Sequence, residues 1–215
     1  SYPFMFKNII GIVGLYLSRL ILDGMATKEE FSVYSFYLMI VSQLTLLSSV
    51  LGQALIPTIR DNFGRISILE ERLKKYKKIY FVFAFLILLL SVLISFLISN
   101  NKLDFLQFFI RKEYLSEVWL FNIMFLAFIL NTMRAAIFDV WQYYEKMKVK
   151  LKLIIISISN VILGLALYPL AYDIGNIYGV ASAYVLIVLI FTYISYHYFN
   201  VAKRRAKIEA NIHNS

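Results

Sequence analysis

The chain alternates long uncharged apolar stretches with short charged ones, and the apolar stretches set the scale of its architecture. A helix needs about 20 predominantly apolar residues to cross a hydrocarbon core about 30 Å thick. Six segments reach that length: 4–22, 31–56, 80–99, 118–141, 153–172 and 174–201. The second, third, fifth and sixth contain no Asp, Glu, Lys or Arg, so charge inside a span is confined to the first and fourth. The pattern predicts an all-α fold, a polytopic membrane bundle of six transmembrane helices forming a single domain over 1–215. Two connections have a periodicity of their own. Over 60–79, Ile66, Leu69, Leu73 and Tyr76 recur at helical spacing, with Glu70/Lys74 and Glu71/Lys75 as i,i+4 pairs. This predicts an amphipathic cytoplasmic helix running into the third span, either a solvated connector or a basic face against anionic headgroups. Over 100–117, Leu103, Leu106 and Ile110 suggest a short helix lying in the outer interface. Pro169, near the outer end of the fifth span, removes a backbone hydrogen bond and permits a kink there. Gly175, Gly179 and Ala183 open the sixth span with a small-residue ridge suited to close helix packing.

Composition agrees with the pattern. Hydrophobic residues make up 60% of the chain, charged residues 16%, and mean hydropathy is +0.71, against about 45–50% apolar and about 25% charged in soluble domains. The absence of cysteine leaves no disulfide framework and no thiolate chemistry. A net charge of +9 would suggest nucleic acid in a soluble protein; here it is a topology signal, and no nucleic-acid partner is expected. Fifteen Lys and Arg lie in 57–79, 142–152 and the tail after 201, whereas the alternate connections hold four. The positive-inside rule then places both termini in the cytoplasm. Tyr76, Tyr80, Trp119, Trp141, Tyr143, Tyr144, Tyr168, Tyr172, Tyr196 and Tyr198 cluster near the span ends, where amphipathic rings anchor helices at the headgroups. The chain opens at Ser1 without an initiator Met or a signal peptide and reads as a piece of a longer protein.

Candidate chemistry gathers around two arginines. A guanidinium at a membrane helix centre costs roughly 2.5–3.5 kcal/mol on insertion scales, so such groups usually face a bundle interior or a water-filled cavity. At 100° per residue, Lys7, Gly11, Gly14 and Ser18 share one stripe of the first span, while Asn8, Arg19 and Asp23 share another. Two readings stand for Arg19. Either Asp23, four residues on, neutralises it as it snorkels to the outer interface, or both face a central cavity where an anion or a proton competes for the pair. In the fourth span Asn131, Arg134 and Gln142 share a polar stripe, and Asp139 lies on a different face. Arg134 is sixteen residues from Val118, about 24 Å along the axis, toward the cytoplasmic end. It too either snorkels or faces the cavity. The candidate substrate-binding residues are therefore Arg19, Arg134, Lys7 and Asn131, with Asp23 and Asp139 as candidates for coupling or gating.

No P-loop, Mg²⁺-holding acid cluster, zinc motif or Ser/His/Asp arrangement stands out in the sequence. The expectation is a transporter rather than an enzyme, without cofactor or metal.

The order of the pieces resembles a known family. Tyr2-Pro3-Phe4 leads into a helix ending Ser18-Arg19-Leu20-Ile21-Leu22, then a short loop and Phe31-Ser32-Val33-Tyr34-Ser35. Ala54-Leu55-Ile56-Pro57 closes the second helix, and Lys146-Met147-Lys148 joins the fourth and fifth. Asn160-Val161-Ile162-Leu163, Pro169, Gly175 and Gly179-Val180-Ala181-Ser182-Ala183 follow. The pattern resembles the C-terminal six-helix lobe of Wzx-type O-antigen and polysaccharide flippases, in the multidrug/oligosaccharidyl-lipid/polysaccharide exporter superfamily, over nearly the whole chain. It departs from the family in one respect: members often have an acid immediately before the arginine that is Arg19 here, and this chain has Ser18.

The resemblance implies one lobe of a two-lobe transporter around a central cavity, in the bacterial cytoplasmic (inner) membrane. Its partners would be membrane lipid, a second six-helix lobe and the cargo, an undecaprenyl-pyrophosphate-linked oligosaccharide such as an O-antigen or capsule repeat unit. Ion-coupled alternating access would move it outward for lipopolysaccharide or capsule biosynthesis. The alternatives are a small-molecule or drug exporter, which should place acids rather than arginines inside its helices, and a polysaccharide polymerase or glycosyl transferase, which should have larger loops rich in acids, His or Arg.

Overall fold

The computed structural model describes residues 13, 16–43, 66–100, 107–144 and 148–213. Among them the fold is all-helical, without strands. Helix α1 covers 16–25, α2 covers 28–43, α3 is Ile66–Ser99, α4 is Lys112–Ser116, α5 is Val118–Tyr144 and α6 is Lys148–His213. One segment among the described residues, Ile154–Tyr198, is long and apolar enough to cross a membrane, and Ala84–Ser99 and Val118–Thr132 are shorter apolar helices. The spans expected over 4–22 and 31–56 lie partly outside the described residues.

The long α6 is not one rod. Its dihedrals leave the helical region at Gly175 (φ −144°, ψ 22°) and Asn176 (φ 50°, ψ −141°). A positive φ is uncommon outside glycine and is enriched at Asn, whose short side chain tolerates the left-handed side of the map. Eight residues of straight helix would separate Ala171 from Gly179 by about 12 Å. Instead, a β-carbon built on Gly179 would collide with the carbonyl group of Ala171. The chain therefore doubles back, and α6 is a hairpin whose arms, 148–174 and 177–213, touch at their tips through a glycine. The turn divides the apolar segment into 154–174 and 177–198, each about 20 residues and so long enough to span. Pro169, where a kink was anticipated, sits inside the first arm, and the change of direction falls at Gly175–Asn176.

The hairpin is the centre of the core. Tyr168 of its first arm and Ile177, Val180, Ala181, Tyr184, Ile187, Val188 and Phe191 of its second are buried against Leu17 and Leu22 of α1, Tyr34, Leu38 and Val41 of α2, and Leu120 and Met124 of α5. Gly164 lets α1 approach: a β-carbon there would come within 2.8 Å of Leu17 Cδ2.

Helix α3 docks differently, through polar side chains on α5. Ser91 Oγ donates to Asn122 Oδ1 (2.8 Å), Asn122 Nδ2 donates to Ser95 Oγ (2.8 Å), and Trp119 Nε1 donates to Ser99 Oγ (3.0 Å). Ser91, Ser95 and Ser99, four residues apart, form one edge of the helix. Around the rest of its surface α3 exposes large apolar side chains: Phe85, Leu86, Leu89, Leu90, Leu93 and Phe96 are each more than half exposed, as is Phe81 nearer the start of the helix. Burying such a side chain is worth about 1.5–3 kcal/mol relative to leaving it in water. These seven, each about half exposed, together forgo on the order of 5–10 kcal/mol, comparable with the whole 5–15 kcal/mol stability of a typical domain. The first arm of α6 shows the same feature at Ile155, Ile162, Leu165 and Leu170. At the α3–α5 seam, hydroxyls and an amide lie between the helices while large apolar residues of α3 lie outside.

Candidate functional site

One end of the bundle concentrates the described polar chemistry, and the sequence creates it locally. After α1, the amide of Ala26 returns to the carbonyl of Leu22 (2.8 Å). Thr27 then caps α2. Its amide and hydroxyl donate to Glu30 Oε2 (3.0 and 2.9 Å), and the Glu30 amide donates to Thr27 Oγ1 (3.3 Å). This is the reciprocal capping box that Thr-x-x-Glu builds at a helix start. Tyr172, at the tip of the first α6 arm, donates its hydroxyl to the same Glu30 Oε2 (3.0 Å). Partial burial works to raise the Glu30 pKa, but the amide and hydroxyl of Thr27 and the phenol of Tyr172 outweigh it, and the pKa lies below the ordinary glutamate value.

The second arm is tied at the same end. Tyr178 lies beside Glu117 at the α4–α5 corner, and Tyr37 of α2 lies close to the same carboxylate. Tyr37 donates to the Tyr114 carbonyl (2.5 Å), Ser32 Oγ shares a hydrogen bond with the Tyr114 hydroxyl (2.8 Å), and the Phe36 and Tyr114 rings stack at 4.6 Å. Each arm of the hairpin thus places a tyrosine by a carboxylate of a flanking element, Tyr172 hydrogen-bonded to Glu30 and Tyr178 beside Glu117.

Arg19 belongs to this end. It is exposed on α1, and its guanidinium carbon lies 5.4 Å from the centre of the Phe31 ring, one residue past Glu30. A cation over an aromatic face contributes about 0.5–1 kcal/mol at an exposed site. Asp23 is exposed one turn further along α1. Leu20, beside Arg19, is 64% exposed, and Tyr16, one turn back, is also exposed. The exposed part of α1 is thus an apolar surface interrupted by a cation and an acid.

The remaining candidates separate from this end. Asn131 is half-buried on α5, next to Leu130, whose carbonyl accepts from Thr192 Oγ1 of the second α6 arm (3.3 Å). Arg134 and Asp139 fall on the helical backbone of α5, with side chains outside the described residues, and Lys7 lies outside them altogether. Among the described residues no group of three or more His, Asp or Glu is placed to hold a metal ion.

Three features were not singled out from the sequence. The Thr27–Glu30 box was legible as Thr-x-x-Glu, and the Ser91–Ser95–Ser99 edge as a four-residue repeat. The third, in the core, had no sequence signal. Ser18 (1% exposed) of α1 and Tyr34 (0% exposed) of α2 face each other beside Tyr168 and Tyr184 of α6, yet their hydroxyls do not reach hydrogen-bond geometry. A buried hydroxyl without a partner costs about 1–3 kcal/mol. Comparison with protein-family models, with curated proteins and with solved structures finds no match for this chain.

Proposed function

We propose that the chain is one six-helix lobe of a membrane flippase. Its cargo is an undecaprenyl-pyrophosphate-linked oligosaccharide, an O-antigen or capsule repeat unit, carried across the bacterial cytoplasmic membrane by ion-coupled alternating access without making or breaking a covalent bond. The membrane reading is supported by the apolar outer faces of α3 and α6 with Ser, Asn and Tyr hydrogen-bonding between helices, the arrangement favoured where lipid rather than water surrounds the bundle. The α6 hairpin supports two antiparallel spans in place of one long helix.

The observation that carries the transport reading is Arg19, exposed on a face of α1 between the apolar Tyr16 and Leu20, with the acid Asp23 one turn on. Turned toward lipid, a guanidinium is costly, roughly 2.5–3.5 kcal/mol at a helix centre and less toward an end. Turned toward a second lobe, it lines a water-filled cavity and offers planar, bidentate donors to a pyrophosphate. Arg134 is the corresponding cation toward the cytoplasmic side, supported by Lys7 and Asn131. Asp23 and Asp139 are the acids available to the coupling ion.

The test is surface polysaccharide in cells whose full-length protein contains Arg19→Ala or Arg134→Ala. Losing one hydrogen-bonded charge contact costs about 1.5–3 kcal/mol, so export should fall about tenfold or more at unchanged protein level. Normal polysaccharide in both strains would overturn the site.

A further inference from the structure

The helices bring very different charge to the two ends of the bundle. Gly179 meets the carbonyl group of Ala171, and Ile156 of the first α6 arm shares the core with Phe191 and Ile194 of the second. The arms therefore run side by side and antiparallel, and the start of the first, 148–152, is level with the stretch just before Lys203 on the second. Leu130 of α5 accepts from Thr192, so one further run of equal length along both helices brings Gln142 level with Arg204. On α3, which is antiparallel to α5, the bond from Asn122 to Ser95 brings Lys75 to the same level. At 1.5 Å per residue, the lysines and arginines of 72–78, 148–152 and 203–207 fall within an axial band of about 15 Å.

The balance at this end is strongly basic. Helical residues 66–78, 139–144, 148–152 and 199–213 contain twelve Lys and Arg against four acids, Glu70, Glu71, Asp139 and Glu209. The hairpin-tip end, 19–30, 107–117 and 172–178, contains four Lys and Arg against six Asp and Glu. Even with each of the four acids offsetting one cation at the basic end, eight cations remain. Lys74, Lys75 and Lys78 of α3 and Arg204 of the second arm are exposed. Charges within about 8 Å feel one another at physiological salt, so a cluster this dense repels itself and attracts anions.

The same helix indicates where those anions lie. Tyr193 (71% exposed), Tyr196 and Tyr198 project from the second arm within three turns before Lys203, and no acid interrupts the arm between Asp173 and Glu209. Exposed tyrosines at the end of an apolar span seat at headgroup level. The cations follow directly, at the depth of lipid phosphates.

We propose that this end of the bundle is a basic collar, built from the start of α3 and both ends of the α6 hairpin, that binds the headgroups of anionic phospholipids. The inference rests on the membrane reading above and goes beyond it by naming a lipid class and the helices that select it.

The full-length protein would be reconstituted in phosphatidylcholine vesicles containing spin-labelled phosphatidylglycerol or spin-labelled phosphatidylcholine. Electron paramagnetic resonance then gives the fraction of each label that the protein immobilises. Phosphatidylglycerol should associate about fivefold more strongly, the preference that one surface cation supplies, and the preference should collapse in 1 M sodium chloride, where the screening length is about 3 Å. One variant combines Lys203→Gln, Arg204→Gln, Arg205→Gln and Lys207→Gln, and a second combines Lys74→Gln, Lys75→Gln and Lys78→Gln. Each should lower the preference at least twofold. Because they lie on different helices, a folding defect in one leaves the other to decide. Lys28→Gln with Arg111→Gln and Lys112→Gln, at the tip end, should leave the preference unchanged. Equal association of the two lipids, a preference insensitive to both collar variants, or an equal loss in the tip variant would overturn the collar. Replacing chloride by inorganic phosphate at matched ionic strength should have no effect. Competition specific to phosphate would reveal a soluble-anion site and overturn the lipid assignment. If neither lipid were immobilised, the membrane reading itself would fail.

Discussion

Helix α3 and the second arm of α6 have similar apolar compositions and opposite placements. The second arm buries Val180, Ile187, Val188 and Phe191 in the centre of the bundle. Helix α3 turns Phe81, Phe85, Leu86, Leu89 and Leu90 outward and attaches by Ser91, Ser95 and Ser99. In water, transfer of apolar surface would favour the reverse for α3. In lipid the tails are as apolar as leucine, so close packing and interhelical hydrogen bonds decide which side faces in. The contrast indicates where strength resides: in the hairpin it comes from tight backbone approach, and at α3 from a short polar ladder.

The largest expected effect breaks the hairpin. Gly179→Leu puts a side chain where the Ala171 carbonyl group lies, and should cost about 3 kcal/mol or more, the upper end of overpacking. Loss of folded protein in detergent, followed by size-exclusion and thermal unfolding, checks this. Next is the ladder. Asn122→Ala removes a donor and an acceptor between α3 and α5, and should cost about 1–2 kcal/mol as a lower unfolding midpoint. Leu89→Ala, on the outward face of the same helix, should change stability by less than about 0.5 kcal/mol. If Leu89→Ala were the more damaging of the two, the inside-out assignment of α3 would be wrong.

A pH-dependent effect concerns the clamp at the hairpin tip. Glu30 has a lowered pKa in the folded state. The stability it contributes is therefore fully present above the ordinary glutamate pKa and is lost as pH falls through the lowered folded value. Unfolding midpoints measured from neutral to acid pH should show this loss in the wild type. Tyr172→Phe removes one of the three hydrogen bonds to Glu30 Oε2, costs about 0.5–1.5 kcal/mol at neutral pH, and should reduce the acid-side loss. An unchanged acid-side loss would exclude Tyr172 from the clamp.

Helix identity was legible in the sequence because apolar length and the placement of charge depend only on neighbours along the chain. The turn of α6 was half legible. A boundary near Asp173 follows from the two apolar lengths, but the residue whose chemistry suggests a kink is Pro169, whereas Gly175 and Asn176 supply the non-helical dihedrals. A proline removes one hydrogen bond without reversing the chain, whereas a positive φ redirects it. The site was less legible. Arg19 was found by its cost in a membrane, but the Arg19–Phe31 contact was not foreseen and Asp23 had seemed the natural i,i+4 partner. Tyr172 and Glu30 are 142 residues apart, and no periodicity joins positions that meet only when α6 folds back on α2.

The measurement closest to the central claim asks whether the Arg19 face of α1 meets water inside the membrane. Tyr16 lies one turn before Arg19 and ten residues before Ala26, about 15 Å along the axis from the end of the bundle, too deep for snorkelling to the headgroups to hydrate it. In vesicles holding the full-length protein, Tyr16→Cys should react with a membrane-impermeant maleimide, while Leu89→Cys on the outer face of α3 should not. Protection of both positions would place Arg19 against lipid or packed protein and would contradict the cavity.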